Sequence, residues 1–328
     1  MLFIILIVVL SSLTACTTRR PTICVTNYPV QYLVQRIGGD RADLCMLTNG
    51  DIIQQASVVQ DYSELIDDAQ LIITMGQLEP YWELIRSEAR ASSAQIIDLV
   101  TTSAVYEFKR FTQVSAGGSV VIFESDYYDG IDFKMIDTYD MDPVLWMDPI
   151  AMNSMARRIR DWFIDYYPED QRFFNENFLQ LENDLVRLDS EFQILKNRGE
   201  RIAFVSLTPS FGNWQKAYNV QVYPIMLSRF GALPNARQLD LIKERIMSDG
   251  VEYIAFEPNL TPQLRELYTT LKEELNLTQV NLHNLMSLTP NEIEEGRDYL
   301  SIMYDNLSFL ESMAEDSNII IEEISDEE

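Results

Sequence analysis

A single histidine, His283, stands against 51 aspartates and glutamates in this chain, and that imbalance decides which chemistry its side chains can offer. Zinc in a protein takes about four nitrogen, sulfur or carboxylate donors in a tetrahedron. One imidazole is on hand, and neither Cys24 nor Cys45 stands in the Cys-x-x-Cys spacing of a thiolate site. Oxygen donors alone can hold a hard cation such as calcium or magnesium. Glu124, Asp126, Asp129 and Asp132 crowd one acidic stretch, although a solvated surface loop has the same composition. Hydrolytic chemistry has less support. The chain has no Gly-x-Ser-x-Gly nucleophile elbow, and no carboxylate pair stands in a place that suggests a general acid facing a general base. An enzyme is not expected.

One stretch organises the rest. Residues 141–149 read Met-Asp-Pro-Val-Leu-Trp-Met-Asp-Pro, with an Asp-Pro pair at each end. Pro149 suits the first turn of a helix, where a missing N–H costs nothing, and Asp148 can cap the free amides behind it. The loop therefore runs into a helix at Ile150. Val144, Leu145 and Trp146 cannot all point inward on so short a loop, so at least one of them is expected to line a cleft or a lobe interface.

These residues need a frame, and the chain is long enough to build one. At 328 residues and 47% hydrophobic it can bury a large core and is expected to form two lobes. Its net charge of −26 excludes nucleic acid, because an acidic surface repels phosphates. The first lobe, 22–167, reads as strand (22–28), helix (30–37), strand (42–47), a polar loop through Gln54, Gln55 and Ser57, helix (61–68), strand (69–75) and helix. Strands alternating with helices imply a parallel sheet covered on both faces. Within this lobe, 115–140 has no clean period and reads as an acidic surface insertion. A helix over 150–167 is followed by a longer one, 168–199, with apolar residues at Phe174, Phe178, Leu181, Leu185, Leu188 and Phe192, at the three- and four-residue intervals of one helical face. The second lobe, 200–314, repeats the strand–helix alternation, and the acidic tail 315–328 is expected to be disordered. The fold class is thus α/β, with two Rossmann-like lobes joined by one long helix.

The N-terminus reads as a targeting segment. Residues 1–13 are an apolar run about half as long as the ~20 residues that span a bilayer, which fits a signal peptide over 1–15; an uncleaved anchor is the other reading. Leu13-Thr14-Ala15-Cys16 resembles a bacterial lipobox, which implies lipidation of Cys16, a tether over 16–21 and a body held on the outer face of the cell membrane. Cys24 and Cys45 each lie in a run that reads as a strand; one disulfide and two buried thiols are both compatible with that placement.

The 141–149 stretch resembles the Asp-Pro-His-x-Trp-x-Asp-Pro segment of the zinc and manganese class (cluster A-I) of ABC-transporter substrate-binding lipoproteins. Asn27-Tyr28-Pro29, Asp68-Ala69-Gln70-Leu71-Ile72 and Leu78-Glu79-Pro80-Tyr81 follow the same family in the same order. The resemblance implies a monomeric receptor that captures a divalent metal ion as cargo between its lobes and delivers it to a permease and its ATPase. It also implies a ligand quartet, which falls here on Gln54 (with Gln55 as the alternative register), Val144, Thr208 and His283. Val144 has no lone pair to give. Three outcomes follow: a metal site rebuilt from oxygen donors with Glu79, Glu257 and His283; a receptor for a small organic or chelated ligand, stacked on cleft aromatics such as Trp146; or a surface binding or adhesion module whose cleft Val144 and Trp146 plug.

Overall fold

The computed structural model describes residues 20–116 and 119–325, without the side chains of 113–120 and 315–325. The signal peptide, Cys16 and most of the tether lie outside the described residues. The first lobe is built in the order β1 (Thr22–Val25), α1 (Tyr28–Gly38), β2 (Asp43–Met46), β3 (Thr48–Asn49), β4 (Ser57–Val58), α2 (Tyr62–Asp68), β5 (Leu71–Thr74), α3 (Trp82–Ala91) and β6 (Gln95–Asp98). Its main sheet is parallel throughout, in the order β2-β1-β5-β6. The central strands are apolar without alternation, Ile23-Cys24-Val25 and Leu71-Ile72-Ile73, and all six residues are buried, as helices on both faces require. The expected 22–28 strand stops early because Asn27 leaves the sheet to cap α1, accepting the Val30 N–H at 3.1 Å. Strand β6 was not visible beforehand: it offers only Ile96-Ile97 between polar residues, too short an apolar signal for an edge strand. Cys24 pairs directly with Cys45 across β1 and β2, and the two form a disulfide with Cα atoms 4.5 Å apart.

Between the lobes run the hairpin β7 (Arg110–Ala116) and β8 (Ser119–Ser125), then α4 (Pro149–Tyr166) and α5 (Gln171–Arg198). Asp148 caps α4 as its position suggests, its Oδ1 accepting the Ile150 N–H at 2.8 Å. Helix α5 has 28 residues, about 42 Å at 1.5 Å per residue. Its buried stripe is the expected one, Phe174 to Phe192, with Leu195 added. It packs on α1 and α4 of the first lobe at one end and reaches the second lobe at the other.

The second lobe follows as β9 (Ala203–Ser206), α6 (Asn213–Tyr218), β10 (Gln221–Pro224), α7 (Ala236–Ser248), β11 (Tyr253–Phe256), α8 (Pro262–Glu274) and β12 (Thr278–Asn281). Its parallel sheet has the order β10-β9-β11-β12. Counting only sheet strands, both lobes therefore follow the order second, first, third, fourth. A short helix α9 (Pro290–Glu294) precedes the closing helix α10 (Tyr299–Ser325), which continues past residue 315, where a disordered tail was expected.

The 115–140 insertion departs from its reading as a surface loop. After β8 the chain lies across the second lobe as a strap. Tyr128 Oη donates to the Pro224 carbonyl at 3.1 Å, Gln238 Nε2 to the Asp132 carbonyl at 2.7 Å, and the Arg229 N–H to the Asp137 carbonyl at 2.9 Å. Phe108, Tyr127, Tyr128, Phe133 and Tyr139 are buried in one hydrophobic cluster with Val205, Tyr223, Ile242 and Ile254 of the second lobe. These aromatics fall at irregular intervals, so no helical or strand period marks them. Two of its acids make ion pairs: Glu124 with Lys216 at 3.3 Å and Asp132 with Arg237 at 3.9 Å.

Candidate ligand cleft

Doubly wound lobes bind ligands beyond the C-terminal ends of their strands, and in both lobes that place holds a fully buried glutamate. In the first lobe Glu79, 1% exposed, follows β5. Its Oε1 accepts from Thr26 Oγ1 at 2.7 Å, Asn27 Nδ2 at 2.9 Å and Tyr81 Oη at 2.8 Å; its Oε2 accepts from Thr74 Oγ1 at 2.7 Å and the Met75 N–H at 3.0 Å. In the second lobe Glu257 directly follows β11. It accepts from Thr208 Oγ1 at 2.7 Å, Asn284 Nδ2 at 2.8 Å and the Thr208 N–H at 3.3 Å. Burial pushes both carboxyls up from their ordinary range, and the hydroxyl, amide and N–H donors pull them part of the way back. Each glutamate ties together the loops that leave its sheet. Neither turns an uncommitted oxygen pair to a cation.

The four residues that the resemblance points to are all buried, at 6% exposure for Gln54, 1% for Val144, 0% for Thr208 and 6% for His283. They do not make a coordination shell. Val144 packs in the main hydrophobic core. The Thr208 hydroxyl is held by Glu257 and by Ser210 Oγ at 2.6 Å. His283 Nδ1 accepts the Leu285 N–H at 2.8 Å, which leaves the ring proton on Nε2, 3.2 Å from Glu292 Oε2. Both nitrogens are thus engaged within the second lobe. The Gln54 carboxamide has no hydrogen-bond partner of ordinary geometry for either its oxygen or its nitrogen, although the Tyr139 hydroxyl of the strap acts on it at close range. Gln55 is exposed beside Gly231.

The two lobes meet around these residues. Asn259 Nδ2 donates to the Asp51 carbonyl at 2.8 Å and Ser287 Oγ to Asp51 Oδ1 at 2.9 Å, which pins the loop bearing Gln54 to the second lobe. Val144, Leu145 and Trp146 all turn inward after all, at 1% exposure or less. The short loop manages this because the indole of Trp146 donates to the Asn284 carbonyl at 2.8 Å and that of Trp214 to the Met147 carbonyl at 2.8 Å. Trp146, Phe211 and Trp214 are core packing, with no open face for stacking.

Asp142 escaped the sequence reading as a functional group, although it opens the first Asp-Pro pair. It is 3% exposed, and its Oδ1 accepts the Val144 N–H at 3.1 Å and Asn213 Nδ2 at 2.8 Å. Asn213 Nδ2 also donates to the Val144 carbonyl at 2.9 Å, so this carboxyl joins the central loop to the start of α6. Burial pushes it up to about 7.

The donor set does not fit zinc or manganese. One position is a hydrocarbon, one hydroxyl is committed to a carboxylate, and the imidazole is turned away with both nitrogens used. Among the described residues no three His, Cys, Asp or Glu side chains gather as a metal-holding group.

Similarity to known proteins agrees with the architecture. Curated relatives include the zinc-binding protein AdcA of Streptococcus pyogenes, 27% identical over 169 residues, which covers 52% of this chain and 32% of that protein. The zinc-binding lipoprotein AdcA of Streptococcus pneumoniae is 22% identical over 322 residues, 94% of this chain and 60% of that protein. The chain thus spans about a third of the length of the first of these relatives. Among solved structures, the periplasmic zinc-binding protein TroA of Treponema pallidum superposes with a TM-score of 0.70 at 16% identity, over 90% of this chain and 99% of that one. The Zn(II)-bound ZnuA-like domain of Streptococcus pneumoniae AdcA gives 0.66 at 21% identity, over 90% and 99%. Likeness at that level of identity speaks for the fold. The profile of the periplasmic zinc-uptake complex component A family, ZnuA, matches residues 23–313. With its two parallel-sheet lobes and connecting helix, the chain belongs to that family, one of uptake-complex components and not of enzymes.

Proposed function

We propose that this protein is the extracytoplasmic binding component of an ABC importer of the divalent-metal class, in which the interlobe cleft no longer coordinates a bare zinc or manganese ion. Family membership over 23–313 supports the importer role. In this reading Cys16 carries the lipid that holds the monomer at the membrane, the first lobe spans 22–167, and a permease with its ATPase receives the cargo. The observation that carries the second half is the commitment of the donors: Thr208 to Glu257, and His283 to Leu285 and Glu292. Cargo of this receptor is accordingly a chelate or a small organic molecule.

The strap favours a second reading. A segment that leaves the first lobe and buries four aromatics, Tyr127, Tyr128, Phe133 and Tyr139, against the second restrains the lobes from parting, which suits a cargo-independent surface binding module. One experiment separates these readings. The mature protein, purified without chelator or histidine tag, is weighed for metal by mass spectrometry and its melting point followed across divalent cations and their chelates. A ligand that binds only the native state raises its melting point. Stoichiometric zinc or manganese with such a rise overturns the proposed loss of bare-metal binding. Stabilisation by a chelate alone supports the receptor reading. Failure of every ligand, together with no cross-link to a permease in the native membrane, leaves the surface module.

A further inference from the structure

The strap folds around an open-mouthed pocket of about 290 Å³, with Leu227 of the second lobe and Phe108 completing its wall, close to the lower end of the ~300–1,000 Å³ typical of ligand pockets. It is not the interlobe cleft: Gln54, Val144, Thr208 and His283 are absent from its walls. Phe108, Tyr127, Tyr128 and Phe133 form the apolar part of those walls. They are braced by one another, with ring centroids 4.9 Å apart for Phe108 and Tyr127 and 5.4 Å apart for Tyr128 and Phe133. Both tyrosine hydroxyls are engaged elsewhere. Tyr127 Oη accepts from Gln215 Nε2 at 2.8 Å and Tyr128 Oη donates to the Pro224 carbonyl. Neither Gln215 nor Pro224 lines the cavity, so the tyrosines offer it ring carbon.

The charged part of the lining is Asp126, Asp129 and Lys134, all exposed. Two carboxylates against one ammonium leave a net negative wall. Lys109, itself paired with Glu107 at 2.6 Å, acts on Asp126 only through longer-range attraction. We propose that this cavity binds a small organic ammonium ion, its alkyl groups against the aromatic rings and its charge toward Asp126 and Asp129. Aromatic rings attract a cation through their negative faces, and the net charge of −26 raises the local concentration of cations. An anion meets the wrong field. A bare calcium ion needs six to eight oxygen ligands, far more than two carboxylates supply.

Isothermal titration of the mature protein with choline, beside its uncharged carbon isostere 3,3-dimethyl-1-butanol, tests the assignment. Choline should bind saturably at one site and at least about tenfold more tightly than the alcohol, a factor of ten being about 1.4 kcal/mol. The Asp126→Asn/Asp129→Asn double variant should lose at least about tenfold in choline affinity while its melting point stays that of the parent, both side chains being exposed. Lys134→Ala should bind choline more tightly. Absence of saturable choline binding, equal affinity for the two probes, or unchanged affinity in the double variant each overturns the assignment. None of these results bears on the importer reading, which rests on the separate cleft.

Discussion

Replacing Asp142 by asparagine isolates the cost of holding a carboxyl between the lobes. Its Oδ1 accepts two N–H groups, and its Oδ2 lies so close to Gly212 that a Cβ there would come within 1.8 Å of it. The bound proton therefore sits on Oδ2. Burial raises the group from 3.8 to about 7, against the Val144 N–H, which lowers it. Below about pH 4 the carboxyl is protonated in native and unfolded chains alike and contributes no pH dependence. As pH rises from there to about 7, the unfolded chain loses a proton that the native one keeps, so stability falls by about 1.4 kcal/mol per pH unit. That is about 4 kcal/mol over the whole window, about 3 of it above pH 5, with no further loss above 7. Asparagine keeps the Oδ1 acceptor, puts an N–H where the Oδ2 proton was, and does not titrate. Urea unfolding of both proteins, followed by tryptophan fluorescence between about pH 5 and 8, should show the stability difference moving toward Asp142→Asn by about 3 kcal/mol. Glu79 and Glu257 are also raised by burial but are common to both proteins and cancel in the difference. A difference constant to within about 0.5 kcal/mol across that range refutes the buried-proton account.

Three further substitutions test neighbouring parts of the fold. Gly212→Ala drives a Cβ onto Asp142 Oδ2 and to 3.1 Å from Tyr127 Oη, and should cost about 1–3 kcal/mol, read as a fall of several degrees in melting point. Gln54→Leu replaces a buried carboxamide without ordinary hydrogen bonds by a side chain of similar size, and should raise stability by about 1 kcal/mol in the same scan; a loss would mean that the amide has a partner worth keeping. Removing both Cys24 and Cys45 by alanine opens a loop of 21 residues in sequence separation and should lower the unfolding free energy by about 3 kcal/mol in urea.

Much of the fold was legible because each lobe announces its core strands as unbroken apolar runs. Ile23-Cys24-Val25 and Leu71-Ile72-Ile73 can only be central parallel strands, and the stripe from Phe174 to Phe192 can only be one face of a long helix. Asp148 and Pro149 marked the start of α4 to within one residue, Pro149 against the expected Ile150. Strand β6 was lost because an edge strand needs few apolar residues. The candidate site was half legible. The family resemblance suggests Gln54 or Gln55, Val144, Thr208 and His283 as the ligand positions, and that Val144 offers no donor follows from its side chain alone. That Thr208 serves Glu257, and that His283 turns both nitrogens to its own lobe, depends on partners 49 residues away in one case and 9 in the other. No local pattern carries such pairings.

The strap reaches the residues of the interlobe region. Its Tyr139 lies beside Gln54, and its Tyr127 near Asp142 and Gly212. Both rings belong to the hydrophobic cluster of the second lobe, although their segment leaves and re-enters the first. Parting the lobes would expose the strap's four buried aromatic side chains, at about 1.5–3 kcal/mol each when fully uncovered. A receptor held only by α5 meets no such barrier. Two features thus point the same way: the Thr208 hydroxyl and both ring nitrogens of His283 are spent on internal hydrogen bonds, and the segment between β8 and α4 is spent on holding the lobes together. Val144→His would place an imidazole in a packed core, beside a backbone already held by Asn213 and Asp142.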